Sequence, residues 1–413
     1  MQQSGIPSQR QTTVSNTVLA QARSKRGFPL VCCEFCSHFG KKFHFAAKRE
    51  HAMFETLGFE ETSPRLASLY FSLALGLGFG VLAQLTRFCF RRALIGEDRR
   101  QAAGLWALAL AVSVLGTQAA VTQGWISFDG HRLLNSELPV LAIAIGGVLF
   151  GIGMVLTRGC ISRLTVLSGT GNLRALLCVG VFAIVAHATL KGVLAPLRSS
   201  LGSYTLQLGD YASLAALPGG APLWSGLIAL PALWVALRSR NSALALLGGA
   251  MIGALVPLAW VTTGFVLYDE FDPIAMESLS FTAPMSEGLF YVIASSAVPA
   301  GFGPGLIGGV LVGALLAALL AGRFQWQSFD SPRQTGRYML GASLMGFGGV
   351  LAGGCTLGAG LAGISTLGLA APLALGSIAL GGVLAHRVLR ESPSSASFSP
   401  AGSPTTPAPQ PAE

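Results

Sequence analysis

Residues 139–160 read PVLAIAIGGVLFGIGMVLTRGC, and this stretch decides the fold class. It carries no charged side chain before Arg158. A helix rises about 1.5 Å per residue, so a run of about 20 apolar residues crosses a hydrocarbon core of about 30 Å. The sequence therefore predicts an all-α polytopic membrane protein with about nine transmembrane helices, at approximately 66–86, 102–122, 139–157, 173–191, 222–238, 242–264, 302–322, 336–353 and 370–389.

The composition of the 413-residue chain excludes soluble enzyme folds. Charged residues make up 11% of the chain, whereas an ordinary soluble domain has about 25%. Hydrophobic residues reach 52%, and the 53 glycines are about 13% of the chain. Residues 66–389 contain only 17 Lys/Arg and 11 Asp/Glu. A protein covered by water needs more charge than this, and lipid is the expected partner for most of the surface.

The two ends of the chain differ from the apolar region between them. Residues 1–62 form a basic N-terminal extension that we expect to be disordered or to belong to a mis-assigned start, because Met53 offers a second start. Eight Lys/Arg and two acids place a charge of +6 in residues 1–52, but a nucleic-acid partner is not expected. Residues 63–390 form the membrane domain. Residues 391–413 are rich in Pro and Ser and predict a disordered tail.

The orientation follows from the distribution of Lys and Arg in the short loops, which favours the cytoplasmic side. With the N-terminus outside, fifteen bases fall in inner loops and four in outer ones. The loop 265–301 carries five acids and no base, as an outer loop would. We therefore expect an N-terminus outside and a C-terminus in the cytoplasm.

The chain contains an internal repeat. GIGMVLTRGC at 151–160 and GFGGVLAGGC at 346–355 are identical at six of ten positions, at an offset of 195. The first motif follows the third predicted helix and the second follows the eighth, so the two halves, about 66–191 and 242–389, are expected to be inverted. Short broken segments after Cys89, Cys160 and Cys355, and at 287–299, predict re-entrant helices. Within a membrane, irregular backbone is tolerated only where it is buried in protein or lines a cavity. In transporters built from inverted repeats, the substrate site lies at the interface between the repeats.

Three of the seven cysteines are candidate functional residues. Cys89, Cys160 and Cys355 each end a glycine-led helix at related points of the repeat. No two of them are close in sequence, so a dithiol redox centre is not predicted. Arg158 is the best candidate for attracting an anion. Gly159 and Gly354, directly before two of the cysteines, are expected to adopt positive φ and to allow close backbone approach. The remaining supporting candidates are Arg87, Arg163 and Thr356.

Other polar and sulfur-bearing residues carry weaker signals. Cys178 lies in an apolar helix and is expected to be a packing residue. His187 is an ionisable group within an apolar run, and its role stays open between function and interfacial polarity. Cys33 and Cys36 form a CxxC motif near two histidines in the extension, which is weak evidence for Zn²⁺. We expect neither a metal site nor a cofactor.

These motifs resemble the YeeE/YedE sulphur-transport family over about residues 66–389. The resemblance rests on TRFCFRRA at 86–93, GIGMVLTRGC at 151–160 and GFGGVLAGGCTLGAG at 346–360. It implies an hourglass-like bundle in the bacterial inner membrane that takes up thiosulfate along a relay of Cys89, Cys160 and Cys355. It also implies a cytoplasmic sulfur-carrier partner. The residues Ile161, Ser162 and Arg163 depart from the Gly- or Ala-rich pattern, so Arg163 is expected to alter substrate preference.

The chemistry of a thiol suits a soft sulfur anion. A free thiol has a pKa of about 8.5, so at neutral pH it is a neutral S–H donor that does not repel the anion. The alternatives are transport of sulfide, persulfide sulfur or a selenium compound. A membrane thiol oxidoreductase is less favoured, because it would need a proximal cysteine pair and the membrane region has no CxxC. A water or formate-type channel would not need three such cysteines. An enzyme is not expected.

Overall fold

The computed structural model describes residues 63–269, 272–329 and 331–391. Within these residues the protein is mainly helical, with one two-stranded antiparallel sheet of β1 (Glu137–Leu138) and β2 (Leu206–Gln207). The α-helices, in chain order, are α1 Pro64–Thr86, α2 Phe90–Ile95, α3 Arg99–Thr122, α4 Val140–Leu156, α5 Ile161–Gly169, α6 Leu173–Leu190, α7 Ala195–Gly202, α8 Gly220–Leu237, α9 Ala243–Val261, α10 Thr282–Ile293, α11 Phe302–Leu320, α12 Pro332–Leu351 and α13 Ala370–Glu391.

Two π-helical segments and three short 3₁₀ turns complete the described chain. A π-helical turn continues α9, and a longer π-helix follows Cys355. Within the described ranges, nine helical segments are long and apolar enough to cross a membrane, as predicted; they are Pro64–Ile95, Arg99–Thr122, Val140–Gly169, Leu173–Leu190, Gly220–Leu237, Ala243–Val266, Phe302–Leu320, Pro332–Gly363 and Ala370–Leu389. The basic extension, its CxxC motif and the Pro/Ser-rich tail lie outside the described residues.

Helix packing follows the internal repeat. The helices α1 to α6 correspond in order to α9, α10, α11, α12, the π-helix Thr356–Gly363 and α13. The pairing of α1 with α11 has its counterpart in α3 with α9, and α4 with α13 has its counterpart in α6 with α12. The pairs α4–α12 and α1–α9 join corresponding helices directly. Five membrane-crossing segments separate the start of α1 from the start of α9, so the two halves run in opposite directions.

Glycine at the helix crossings lets the backbones touch, as at Gly305, Gly309 and Gly313, which are spaced four residues apart in α11. In α11, a Cβ on Gly309 or Gly313 would overlap the backbone carbonyl oxygens of Leu73 and Leu77 in α1. At a second crossing, between α4 and α13, a Cβ on Gly151 would overlap the carbonyl oxygen of Ile378. These crossings hold the frame from which the short helices project inward.

The broken segments are short helices, as predicted. α2, α5 and the π-helix begin directly after Cys89, Cys160 and Cys355. The fourth, α10, covers Thr282–Ile293 and so begins a few residues earlier than the predicted 287–299. Phe281, which precedes α10, occupies the position that Cys89 has before α2.

Candidate functional site

Each of the three cysteines lies at the N-terminus of a short helix. The backbone of Cys89, Cys160 and Cys355 is extended, with ψ of 126°, 162° and −175°, which breaks the preceding helix. Cys160 and Cys355 are 1% and 0% exposed, and Cys89 is half-buried. Their thiols therefore lie inside the bundle and do not face lipid.

The structure brings Cys89 and Cys160 together, with their Sγ atoms 3.9 Å apart. The sequence did not predict a dithiol centre, because no two of these cysteines are close in sequence, yet the structure places two of them next to each other. Sequence separation was a poor guide, because the short helices α2 and α5 enter the bundle from the same end. Cys160 also lies 3.2 Å from the Ser162 hydroxyl, measured from Sγ to Oγ.

Cys160 links the two halves of the repeat. The side chain of Thr356, the residue after Cys355, contacts the Cys160 thiol. On the other side of this contact, the Cys355 Sγ accepts a hydrogen bond from the Gly358 N–H at 3.5 Å. The three thiols thus form a series from Cys89 through Cys160 to the π-helix that carries Cys355.

The arginines of the predicted site differ in their surroundings. Arg87 and Arg158 are exposed, whereas Arg163 is half-buried. The guanidinium of Arg163 donates to the Ala83 carbonyl at 3.2 Å and to the Gln84 side-chain oxygen at 3.3 Å. Arg163 therefore connects the C-terminal turn of α1 to α5, close to the cysteine pair.

Arg91 is a residue that the sequence reasoning did not select. It is half-buried in α2, lies near Cys89, Cys160 and Arg158, and has a buried Nε without a hydrogen-bond partner among the described residues. The neighbouring Arg92, by contrast, is paired with Asp98. Arg91 follows Cys89 by two positions, as Ser162 follows Cys160. This shared spacing could have identified Arg91 as a site residue from the sequence.

We expected positive φ at Gly159 and Gly354, but in each motif positive φ occurs one residue earlier. The left-handed residues are Arg158, with φ of 59°, and Gly353, with φ of 75°. Close approach does occur at Gly354, where a Cβ would lie 2.9 Å from the Ala359 nitrogen. At Gly159 the nearest atom to a Cβ belongs to the Leu164 side chain, at 3.3 Å.

The left-handed backbone at Arg158 leads to a stability prediction. A left-handed conformation costs a non-glycine residue about 1–2 kcal/mol, and the repeat has Gly353 at the corresponding position. Arg158→Gly should therefore raise the free energy of unfolding by about 1 kcal/mol, measured by denaturation in detergent. Arg163→Gly, inside α5, should lower it by about 1 kcal/mol instead. Equal destabilisation by both changes would contradict this reading.

The cysteine pair leads to a second prediction. Two thiols 3.9 Å apart need only a small movement to reach an S–S bond of about 2.05 Å. Diamide should oxidise Cys89 and Cys160 to a disulfide, with diamide taking up the two electrons and two protons, and dithiothreitol should reverse the reaction. Mass spectrometry of peptides identifies the bond, and Cys89→Ser should prevent it. A wild-type protein that diamide does not crosslink would contradict the geometry.

Cys178 and His187 lie outside the cysteine series. Cys178 is fully buried, with its thiol 3.7 Å from the Tyr338 carbonyl oxygen, as expected for a packing residue. His187 joins α6 to α10, with its Nδ1 2.9 Å from the Ser286 Oγ and its ring stacked on Phe290. Within the described part of the chain, no group of three His, Cys, Asp or Glu residues could hold a metal ion.

A family described as sulphur transport matches residues 85–384. The thiosulfate transporter TsuA of Escherichia coli K12 is 26% identical over 321 residues, which cover 70% of this chain and 85% of the relative. The thiosulfate transporter TsuA of Spirochaeta thermophila is 27% identical over 336 residues, which cover 74% of this chain and 94% of the relative.

Proposed function

The chain belongs to the sulphur transport family, and from that premise we propose that it is a transporter or channel for thiosulfate uptake. The two relatives that carry that name are similar over most of their length. The single observation that carries the proposal is the buried series of thiols, in which Cys160 contacts both Cys89 and Thr356. In this proposal Cys89, Cys160 and Cys355 bind the anion one after another.

Neutral thiols suit this cargo. Thiosulfate is a dianion with a soft terminal sulfur, and a protonated thiol can donate to it without charge repulsion. Conduction needs binding that is strong enough for entry and weak enough, at several sites, for exit. Three weak S–H donors in series meet this need, whereas one arginine clamp would hold the dianion too long. The N-termini of α5 and the π-helix add backbone N–H groups near Cys160 and Cys355.

The arginines define one end of the proposed path. Arg91 lies near the Cys89–Cys160 pair, and Arg163 is fixed beside it. By the positive-inside distribution, this end faces the cytoplasm and the N-terminus of the membrane domain lies outside. The protein is a multi-pass membrane transporter, and we propose the bacterial inner membrane as its location. A cytoplasmic sulfur-carrier protein would receive the anion at this end.

Uptake into liposomes tests the proposal. Purified protein is reconstituted, and entry of thiosulfate carrying ³⁵S is followed with and without unlabelled competitors. We expect saturable uptake that excess thiosulfate abolishes and that sulfate, which lacks a terminal soft sulfur, leaves nearly unchanged. Uptake no faster than in protein-free liposomes would overturn the proposal. Stronger competition by sulfide, persulfide or a selenium analogue would make that species the cargo.

The proximity of Cys89 and Cys160 favours a second candidate, a membrane thiol oxidoreductase. Such an enzyme would need the Cys89–Cys160 pair and would not need Cys355, which lies on the other side of Thr356. A transport path needs all three. Equal loss of uptake in Cys355→Ala and Cys89→Ala therefore favours transport. Intact activity in Cys355→Ala alone favours redox chemistry.

A further inference from the structure

A narrow cavity lies at the end of the bundle opposite the arginine-flanked cysteine pair. Its volume is about 20 Å³, and Arg132, Trp260, Glu277, Ser280 and Gly358 are among its lining residues. We call this cavity the neck. Two larger cavities of about 320 and 500 Å³ share lining residues with it, Glu277 in the first and Arg132 in the second. The neck's own volume corresponds to about one water molecule, so the neck admits a single small group, such as one oxygen of an anion, and the larger cavities lie beside it.

The neck lies next to the thiol series. Gly358, which lines the neck, donates its N–H to the Cys355 thiol at 3.5 Å. Ser280, also in the lining, lies so close to Gly358 that a Cβ there would be 2.6 Å from the serine Oγ. The neck therefore adjoins the Cys355 end of the thiol series.

Two buried polar atoms of the neck residues have no partner among the described residues. The first is the indole Nε1 of Trp260, whose side chain is only 3% exposed. The Trp260 ring packs against the rings of Phe128 and His131, with centroid distances of 5.2 and 5.3 Å. The Glu277 Oε2 is the other. Buried polar atoms normally form hydrogen bonds, so these two indicate a ligand. An indole N–H is a donor and requires an acceptor. A carboxyl group can form a hydrogen bond to an anion only when the carboxyl is protonated and its O–H donates.

We propose that the neck is a proton-linked anion site, in which Arg132 and the Trp260 N–H bind a sulfur oxyanion while Glu277 carries a proton. The inference rests on the proposed function, because it takes thiosulfate as the anion. When Glu277 is protonated, its O–H can donate to the anion and Arg132 keeps its full charge. When Glu277 is ionised, it competes for Arg132 and repels the dianion. Each anion bound at high pH would therefore bring a proton with it.

The surroundings of Glu277 favour such a proton. Burial and the neighbouring Glu287 carboxylate raise the pKa of Glu277 to about 7, against the opposing effect of Arg132. Glu277 lies between membrane-crossing segments, in the stretch after Val266. The other charged or titratable groups around the neck and the two larger cavities are Arg65, His131, Glu137, Arg198 and Glu287, with Lys191 beside Glu287. Anion binding should therefore be strong below about pH 7 and weaken above it.

Calorimetry on the wild-type protein in detergent tests this inference. Thiosulfate is titrated at about pH 6 and pH 8 in buffers that differ in their heat of ionisation. One linked proton on a group of pKa about 7 weakens binding about tenfold between these values. We expect that loss, with nearly one proton taken up per anion at about pH 8 and few at about pH 6. Tight binding with the same affinity and no proton uptake at either pH would overturn the inference and leave the proposed function standing.

Three variants assign the proton to Glu277. Glu277→Gln should bind thiosulfate with the same affinity at both pH values and take up no proton. Glu287→Gln should keep the linkage but move its midpoint to lower pH, since a like charge beside Glu277 is removed. Glu97→Gln, an exposed change at the other end of the bundle, should behave as wild type. Proton uptake that persists in Glu277→Gln would overturn the assignment, and a wild type that binds no thiosulfate at any pH would overturn both proposals.

Discussion

Replacing Cys160 with alanine should lower thiosulfate uptake about ten- to a hundredfold, the largest effect expected from a single thiol. Cys160 contacts Cys89, Ser162 and Thr356, so its removal breaks the series at the point where the two halves of the repeat meet. A hydrogen bond from the Cys160 thiol to the dianion is worth about 1.5–3 kcal/mol, and its loss corresponds to about ten- to a hundredfold in rate. Initial rates of ³⁵S-thiosulfate entry into liposomes measure the effect.

Matched variants separate a loss of transport from a loss of folding. Cys178→Ala removes an equally buried thiol outside the series and should leave uptake unchanged. Cys160→Ser keeps a hydroxyl donor at the same position and should retain part of the rate. Size-exclusion profiles of all variants should match that of the wild type. Full uptake by a well-folded Cys160→Ala protein would remove the thiol series from the mechanism.

Gly309→Val should abolish the folded protein, because α1 and α11 touch at this glycine. A Cβ there would overlap the Leu73 carbonyl oxygen and lie 2.9 Å from the Leu77 nitrogen, and both are backbone atoms that cannot rotate away. Overpacking of this kind costs about 3 kcal/mol or more. The yield of monodisperse protein in mild detergent and its melting temperature measure the loss.

The adjacent glycine in the same helix gives the control. A Cβ on Gly308 would meet nothing within 4 Å, so Gly308→Val should fold and melt close to the wild type. Both changes add the same apolar volume and the same β-branched side chain to α11. Comparable yields of the two variants would show that the α1–α11 contact is looser than the structure has it.

The membrane architecture could be predicted from the sequence because its signals are local. Apolar runs of sufficient length, charges between them and glycines at spacings of four all act within one helix or one crossing. The repeat between 151–160 and 346–355 added the relation of the two halves. These features alone predicted nine membrane-crossing segments and placed three short helices directly after Cys89, Cys160 and Cys355.

The contacts within the site could not be predicted in the same way. Cys89 and Cys160 are 71 positions apart and meet only because two short helices enter from one end. The left-handed backbone fell on Arg158, one position before the glycine that was expected to adopt it. The neck joins Arg132, Trp260 and Glu277 from three different elements, and no local pattern relates them.

Protection of the thiols by thiosulfate tests most directly whether the three cysteines share one path for the anion. Wild-type protein is treated with an anionic methanethiosulfonate with and without thiosulfate, and the rate of modification at Cys89, Cys160, Cys355 and Cys178 is followed by mass spectrometry of the separate peptides. Thiosulfate should slow the reaction at Cys89, Cys160 and Cys355 and leave Cys178 unaffected. If the protein binds thiosulfate but the modification rate changes at none of the four cysteines, the result would contradict a shared path.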